Sequence, residues 1–338
     1  MKPYVTIRLK NKEGTMNNEK YILPLIANED TGTKDLSILD NVIGQEEARK
    51  KLAFFVKSSS KETPMPTLLF TGSHGLAKTF MASKVALALG RELIEVNCGT
   101  LTDTKALFEK VLLSSVIGDK PKTILFDEAH KLPYDITTAL LTLLNPNKDN
   151  KNYLSFRDWI IEYDFTRINV IFATTDAYQM WKPLVNRCED VYFSLYDNEE
   201  LYKILNGYLP NVSLECNKED LSYACRGRGR DAYLISQNIK RYCTMKGTKV
   251  LVNKGWKELS GIFGIHSMGL NTQEVTLMKL LQEQSPISCN NIAVRLGVNT
   301  NNVEEEIEVR PRELGFIKST SRGRSLSEEG KQYLKELA

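Results

Sequence analysis

Gly72-Ser73-His74-Gly75-Leu76-Ala77-Lys78-Thr79 follows directly on the apolar run Thr67-Leu68-Leu69-Phe70-Thr71 and opens into a stretch rich in alanine and lysine. A buried strand, a glycine-bearing turn and a helix, in that order, are the context a phosphate-binding loop requires. In such a loop the backbone N–H groups surround the phosphates of a nucleotide, here with Gly72, Gly75 and Ala77 at the turns. Lys78 would reach the terminal phosphates, and Thr79 would hold Mg²⁺ through its hydroxyl. The standard pattern has glycine where this chain has Ala77. A methyl group there should reduce the loop's freedom without removing an N–H donor.

A second stretch, Thr123-Ile124-Leu125-Phe126-Asp127-Glu128-Ala129-His130, is an apolar strand that ends in two acids. Burying paired carboxylates is costly unless they face a metal or water in a cleft. Asp127 would join the Mg²⁺ shell, and Glu128 would polarise the attacking water. Together the two stretches predict an ATPase using ATP and Mg²⁺. His74 reads as a tolerated surface residue and His130 as structural.

Outward from these motifs, residues 41–193 alternate strand and helix. Strands are predicted at Leu68–Thr71, Leu93–Asn97, Ile124–Phe126, Val170–Ala173 and Val191–Leu195, and helices at Thr79–Leu89 and Ile136–Leu144. Such alternation implies an α/β fold, a parallel sheet flanked by helices with its ligand at the carboxyl ends of the strands. Residues 1–39 form an extension in which Tyr4–Leu9 and Tyr21–Ile26 look like strands of a hairpin, with Glu13-Gly14 suited to a turn. A second hairpin is expected over 145–163, where Tyr153, Phe156 and Trp159 either dock a partner or pack onto their own domain. The large domain is expected over 40–197 and a helical lid over 198–268. The lid should be helical from Glu199 to about Lys246, followed by a loop over Asn253–Gly269. A compact module at 269–338 should contain helices Thr272–Gln284, Ile287–Leu296 and Asn301–Leu314, a two-stranded wing at 316–326 and a closing helix at Glu328–Leu337. That order is a winged helix-turn-helix.

The bulk figures agree with a folded, multi-domain chain: 338 residues, 42% hydrophobic and 26% charged. A net charge of +3 permits a polyanionic partner without demanding one. The six cysteines, Cys98, Cys188, Cys216, Cys225, Cys243 and Cys289, form no Cys-x-x-Cys pair and read as reduced structural thiols. No apolar stretch approaches membrane-spanning length and the first residues lack a signal-peptide core, so a cytoplasmic protein with no membrane partner is expected.

With these residues the chain resembles the AAA+ ATPases. Within them it is most similar to the RuvB family, motors that drive branch migration of Holliday junctions. The resemblance runs from about Asp40 to the C-terminus. Asn41-Val42-Ile43-Gly44-Gln45 matches the segment lining the adenine pocket, which implies Val42 and Ile43 against the base, and Tyr196 falls where a tyrosine packs on the nucleotide. Ala173-Thr174-Thr175 resembles the sensor-1 segment, implying Thr175 as the residue that orients water. Arg226-Gly227-Arg228-Gly229-Arg230 falls at the sensor-2 position, implying Arg230 at the γ-phosphate and leaving one or two of its arginines facing water or a neighbouring subunit. Pro183-Leu184-Val185-Asn186-Arg187 resembles the finger segment. Arg187 would then complete a neighbouring subunit's site, which implies a homo-oligomeric ring, a hexamer in that family. A RuvA-like junction-binding partner is implied as well, with the hairpin at 145–163 as its candidate docking site.

The chain departs from the family at Ser73-His74 (two prolines), Ala77 (glycine), Val185 and Ser319 (arginines). Ala173-Thr174-Thr175-Asp176 with Asn186-Arg187-Cys188 also resembles clamp-loader subunits. At the wing, Lys318, Arg322 and Arg324 suit phosphate contacts with DNA, duplex or four-way junction, that are insensitive to sequence. The acidic run Glu304-Glu305-Glu306 argues against base reading in a major groove. The function implied is an ATP-driven, ring-forming DNA motor. The alternatives are a loader or remodelling switch of clamp-loader type, acting on a protein partner at DNA, and a DNA-binding regulator with a vestigial nucleotide site.

Overall fold

The computed structural model describes residues 4–9, 21–24, 34–116, 120–145, 150–156 and 159–337, with side chains described over 34–115, 120–145, 150–154 and 163–337. The chain divides into two compact units, Met1–Leu195 and Tyr196–Ala338.

In chain order the first unit contains strands β1 (Tyr4–Leu9), β2 (Tyr21–Pro24), β3 (Leu68–Thr71), β4 (Glu92–Asn97) and β5 (Lys122–Asp127). These are followed by β6 (Lys151–Phe156), β7 (Trp159–Asp164), β8 (Ile168–Thr174) and β9 (Glu189–Tyr192). Five of them form a parallel sheet in the order β4-β5-β8-β3-β9. A parallel sheet is covered on both faces, so its inner strands read as continuous apolar runs. Accordingly Ile124, Leu125 and Phe126 of β5 and Val170, Ile171, Phe172 and Ala173 of β8 are all buried. Phe126 and Phe172 stack across the two strands with centroids 5.2 Å apart. The helix Lys78–Ala88 buries Met81, Ala82, Val85 and Ala86, and the helix Tyr134–Leu143 buries Ile136, Leu140 and Leu143. The phosphate loop, Asp127 and Thr174 therefore all lie at carboxyl ends of strands, where ligands bind in such sheets.

The N-terminal strands form the expected antiparallel hairpin, Tyr4 opposite Pro24. Residues 10–20, with the Glu13-Gly14 turn, lie outside the described residues. β6 and β7 form the second expected hairpin. β1 also pairs with β7, giving a four-stranded antiparallel sheet in the order β2-β1-β7-β6. On the second hairpin Tyr153 is exposed, whereas Leu154 and Tyr163 pack into the core. The side chains of Phe156 and Trp159 lie outside those described.

The second unit begins with helices Asn198–Gly207, Lys218–Ala224, Gly229–Lys246 and Asn253–Ile262. It corrects two sequence expectations. The span 199–246 is not helical throughout: β10 (Ser213–Glu215) pairs in parallel with β11 (Val250–Val252), a partner distant in sequence. Residues 253–262, expected as loop, are helical because Trp256 and Leu259, three apart, bury one face.

A winged helix follows. The helix Thr272–Glu283 starts with a capping box between Asn271 and Glu274. The second helix begins at Cys289, capped by Ser288, and Ile287 instead pairs its backbone with Arg324 (2.7 and 3.0 Å), extending the wing. The third helix is not continuous. A widened turn at Val303–Ile307, with the N–H of Glu308 on the carbonyl of Val303, precedes Val309–Glu313, which contains Pro311. Strands β12 (Ile317–Thr320) and β13 (Gly323–Leu326) form the wing, and Glu328–Leu337 closes the module as expected.

Candidate functional site

The phosphate loop is shaped by three residues with positive φ. Gly72 lies at φ 141°, and a Cβ there would sit 2.4 Å from the carbonyl oxygen of Phe193, so no other residue fits. Gly75 (φ 76°) and Ala77 (φ 67°) turn the chain through the left-handed region. The helix then starts at Lys78 with no side-chain cap from Ala77. Its first-turn N–H groups have no intrahelical acceptor, and that makes the turn an anion site. The buried Lys78 holds its ammonium on the carbonyls of Gly72 (2.7 Å) and Ser73 (2.9 Å), over the same loop.

Thr79 and Asp127 meet as the two motifs require, the threonine hydroxyl donating to Oδ2 at 3.1 Å. A hydroxyl and a carboxylate oxygen side by side at a phosphate loop fit a Mg²⁺ ion. The other Asp127 oxygen accepts the N–H of Glu128 at 3.0 Å. Glu128, at φ 55°, is flanked by His130 Nε2 (3.4 Å), Lys131 Nζ (3.7 Å) and His74 Nδ1 (3.9 Å). His130 reaches on to Thr174, its Nδ1 3.0 Å from the hydroxyl, which also accepts the N–H of Asp176. Sequence reasoning set both histidines aside; the structure gathers them at Glu128. The available signal was the spacing of His130 two residues beyond Glu128, one short turn. Nearby, burial and then the charges of Asp127 and Glu128 push the Cys98 thiol up to about 12, so it stays protonated.

Thr175 follows β8 directly and is half-buried. Arg187 follows the short helix Lys182–Val185; its Nε is buried and meets no acceptor among the described residues. Val42 is buried and Ile43 is 37% exposed. Their segment is fastened to the end of the sheet by Gln45, whose side chain donates to the carbonyl of Ser194 (2.7 Å) and accepts its N–H (3.1 Å).

In the second unit the N–H of Tyr196 donates to the carbonyl of Gly227 at 2.9 Å. The arginine motif divides. Arg230 is exposed in the first turn of the helix Gly229–Lys246. Arg226 instead pairs with the fully buried Glu274, and Arg228 lies 4.0 Å from Glu313. The surplus arginines, expected to face water or a neighbour, are thus engaged by the winged helix of their own chain. At the wing Lys318 and Arg322 are exposed. Arg324, expected with them as a phosphate contact, is held differently. Its Nε and Nη2 donate to the fully buried Glu308 at 2.8 and 3.0 Å, and Nη2 also to Glu304 at 2.9 Å.

Two family models match the chain: the ATPase family associated with various cellular activities (AAA) over residues 68–195, and the RuvB C-terminal winged helix domain over 267–335. The chain is a divergent RuvB-like AAA+ ATPase. Among relatives, the Holliday junction branch migration complex subunit RuvB of Campylobacter lari is 27% identical over 315 residues, covering 86% of this chain and 88% of that protein. The subunit from Wolbachia of Brugia malayi is 26% identical over 312 residues, covering 88% and 92%. The fold is similar to the RuvB Holliday junction branch migration motor of Thermotoga maritima, with a TM-score of 0.70 at 21% identity over 88% of this chain and 96% of that one. A winged helix of the RuvB type in the same chain as an AAA core favours the RuvB-like reading over the clamp-loader one. No described helix is long and apolar enough to cross a membrane.

Proposed function

We propose that the chain is the ATP-hydrolysing subunit of a ring that moves branched DNA, the activity for which its RuvB relatives are named. The observation that carries the ATPase half is the contact of Thr79 with Asp127, with Glu128 next in sequence and the Lys78 ammonium on the same loop. In this reading ATP lies along Gly72–Thr79 with its base against Val42, Ile43 and Tyr196. Thr79 and Asp127 would hold Mg²⁺, which would supply neutralisation of phosphate charge. Glu128 takes the proton of the attacking water, Thr175 orients that water, and Arg230 contacts the γ-phosphate. Arg187 serves the neighbouring subunit's site. A hexameric ring and a RuvA-like partner docked at the β6–β7 hairpin complete the assembly.

The DNA half rests on the wing, where Lys318 and Arg322 present exposed cations for phosphates. Steady-state ATP hydrolysis with and without a synthetic four-way junction tests the whole reading. Junction DNA should stimulate turnover and ATP should drive branch migration. Arg187→Ala should bind ATP nearly normally while kcat falls about 10³-fold, and Glu128→Gln should bind without turning over. Normal turnover by Arg187→Ala would sink the shared site.

A further inference from the structure

The turn Arg226–Arg228 leads directly into the helix Gly229–Lys246, whose first turn carries Arg230. Arg226 (φ 53°) and Gly227 (φ 76°) are consecutive left-handed residues, an arrangement that turns the loop sharply just before the helix carrying Arg230. Behind that turn, Arg226 enters an ion pair with Glu274, whose side chain is fully buried. Glu274 is itself fixed: its Oε2 accepts the N–H of Asn271 at 2.7 Å and its own N–H donates to the Asn271 side chain at 2.9 Å. Arg228 faces Glu313, which also receives Arg310 at 3.2 Å, and Arg310 reaches the carbonyl of Met268 at 3.4 Å. The segment just before the helix Thr272–Glu283 is pressed into place as well. A Cβ on Gly269, at φ 73°, would lie 2.0 Å from the carbonyl oxygen of Tyr223, three residues before Arg226. Burying charges only to hold two modules together is expensive, since hydrophobic residues of similar volume would do so at no greater cost. Ion pairs give directional, fixed geometry instead.

We infer that Arg226 and Arg228 are positioning residues that transmit nucleotide state to the wing: with Arg226 paired to the buried Glu274 and Arg228 facing Glu313, they oblige the winged helix to move with the helix that carries Arg230. The inference rests on the reading of Arg230 as a nucleotide contact. It assigns Arg226 and Arg228 no contact with the nucleotide. Their loss should leave ATP bound and hydrolysed but cut the connection to DNA movement.

The test uses the full chain and the variant Glu274→Gln, which keeps an oxygen for the capping box but removes the charge that holds Arg226. Amide hydrogen exchange over residues 267–283 is measured with and without ATP, beside KM for ATP and junctions migrated per ATP consumed. In the wild type, ATP should change exchange in the winged helix. In Glu274→Gln the change should stop within residues 196–266, KM should stay within about twofold, and migration per ATP should fall about tenfold, inside the usual range of coupling between sites. Arg228→Gln, at a partly exposed pair, should show the same pattern more weakly and guards against a variant that merely unfolds. An ATP response in residues 267–283 that survives both substitutions, or one absent from the wild type, overturns the inference. A wild type that answers ATP in its winged helix yet migrates no junction counts against the proposed DNA motor and leaves the transmission standing.

Discussion

At Ala77 a single methyl group records how far this chain has diverged. The residue sits at φ 67°, where an alanine costs about 1–2 kcal/mol and a glycine almost nothing. Glycine loses more freedom on folding, which offsets part of that gain. Ala77→Gly should therefore stabilise the first unit by roughly 0.5–1 kcal/mol, read as a raised melting temperature with ATP binding retained. A lowered melting temperature would mean that the methyl makes a contact worth more than the strain. Gly72 shows the opposite constraint, because a methyl there would meet the Phe193 carbonyl. The geometry around Glu128 is also a matter of single residues: His74 and His130 approach it from the phosphate loop and from the turn after β5.

The wing shows how one element can hold cations of the same type in different roles. Arg322 is exposed at its tip, while Arg324 is tied to Glu308 and Glu304 of the preceding helical segment. Glu304 belongs to the acidic run that argues against major-groove insertion and Glu308 follows it; here both brace the wing from behind. Removing one partner of a fully buried pair costs about 3–5 kcal/mol. Arg324 is partly exposed and Arg312 stays on Glu308 at 2.9 Å, so Arg324→Gln should cost less, roughly 2 kcal/mol. Arg322→Gln should leave stability within about 0.5 kcal/mol of the wild type. It should weaken DNA binding alike for all sequences and lower the salt dependence by about one phosphate contact. Thermal melts and DNA titrations over a salt series distinguish the two. A normal melt with weakened DNA binding for Arg324→Gln would return Arg324 to the phosphate contacts.

For the whole molecule, the proposal predicts sites that no chain completes alone. Glu128→Gln and Arg187→Ala should each be nearly inactive. Mixed in equal amounts under conditions of subunit exchange, they should regain turnover, because roughly a quarter of the interfaces then combine an intact Glu128 with an intact Arg187. Activity that stays at the level of the separate variants would place both residues in one subunit's site. The wing and the arginine loop belong to the same compact unit, Tyr196–Ala338. Under the proposal, a nucleotide signal arriving at Arg230 would have a covalent and ionic route to the wing strands within that unit.

Much of this was legible in the sequence because it depends on local pattern. The strand ahead of Gly72–Thr79, the acids closing β5, and the helix and wing order of the last seventy or so residues follow from apolar periodicity and turn chemistry over short spans. The helix at Asn253–Ile262 carries an apolar pair three residues apart, Trp256 and Leu259, but its glycines and polar ends weaken that local signal. What only the tertiary structure decided involves partners far apart in the chain: β10 with β11, β1 with β7, Gln45 with Ser194, Arg226 with Glu274, and Arg324 with Glu308. An arginine has the same long, charged side chain whether it will face phosphate or a buried carboxylate. Its role is fixed by which acid the fold brings within reach, and no local pattern carries that distance.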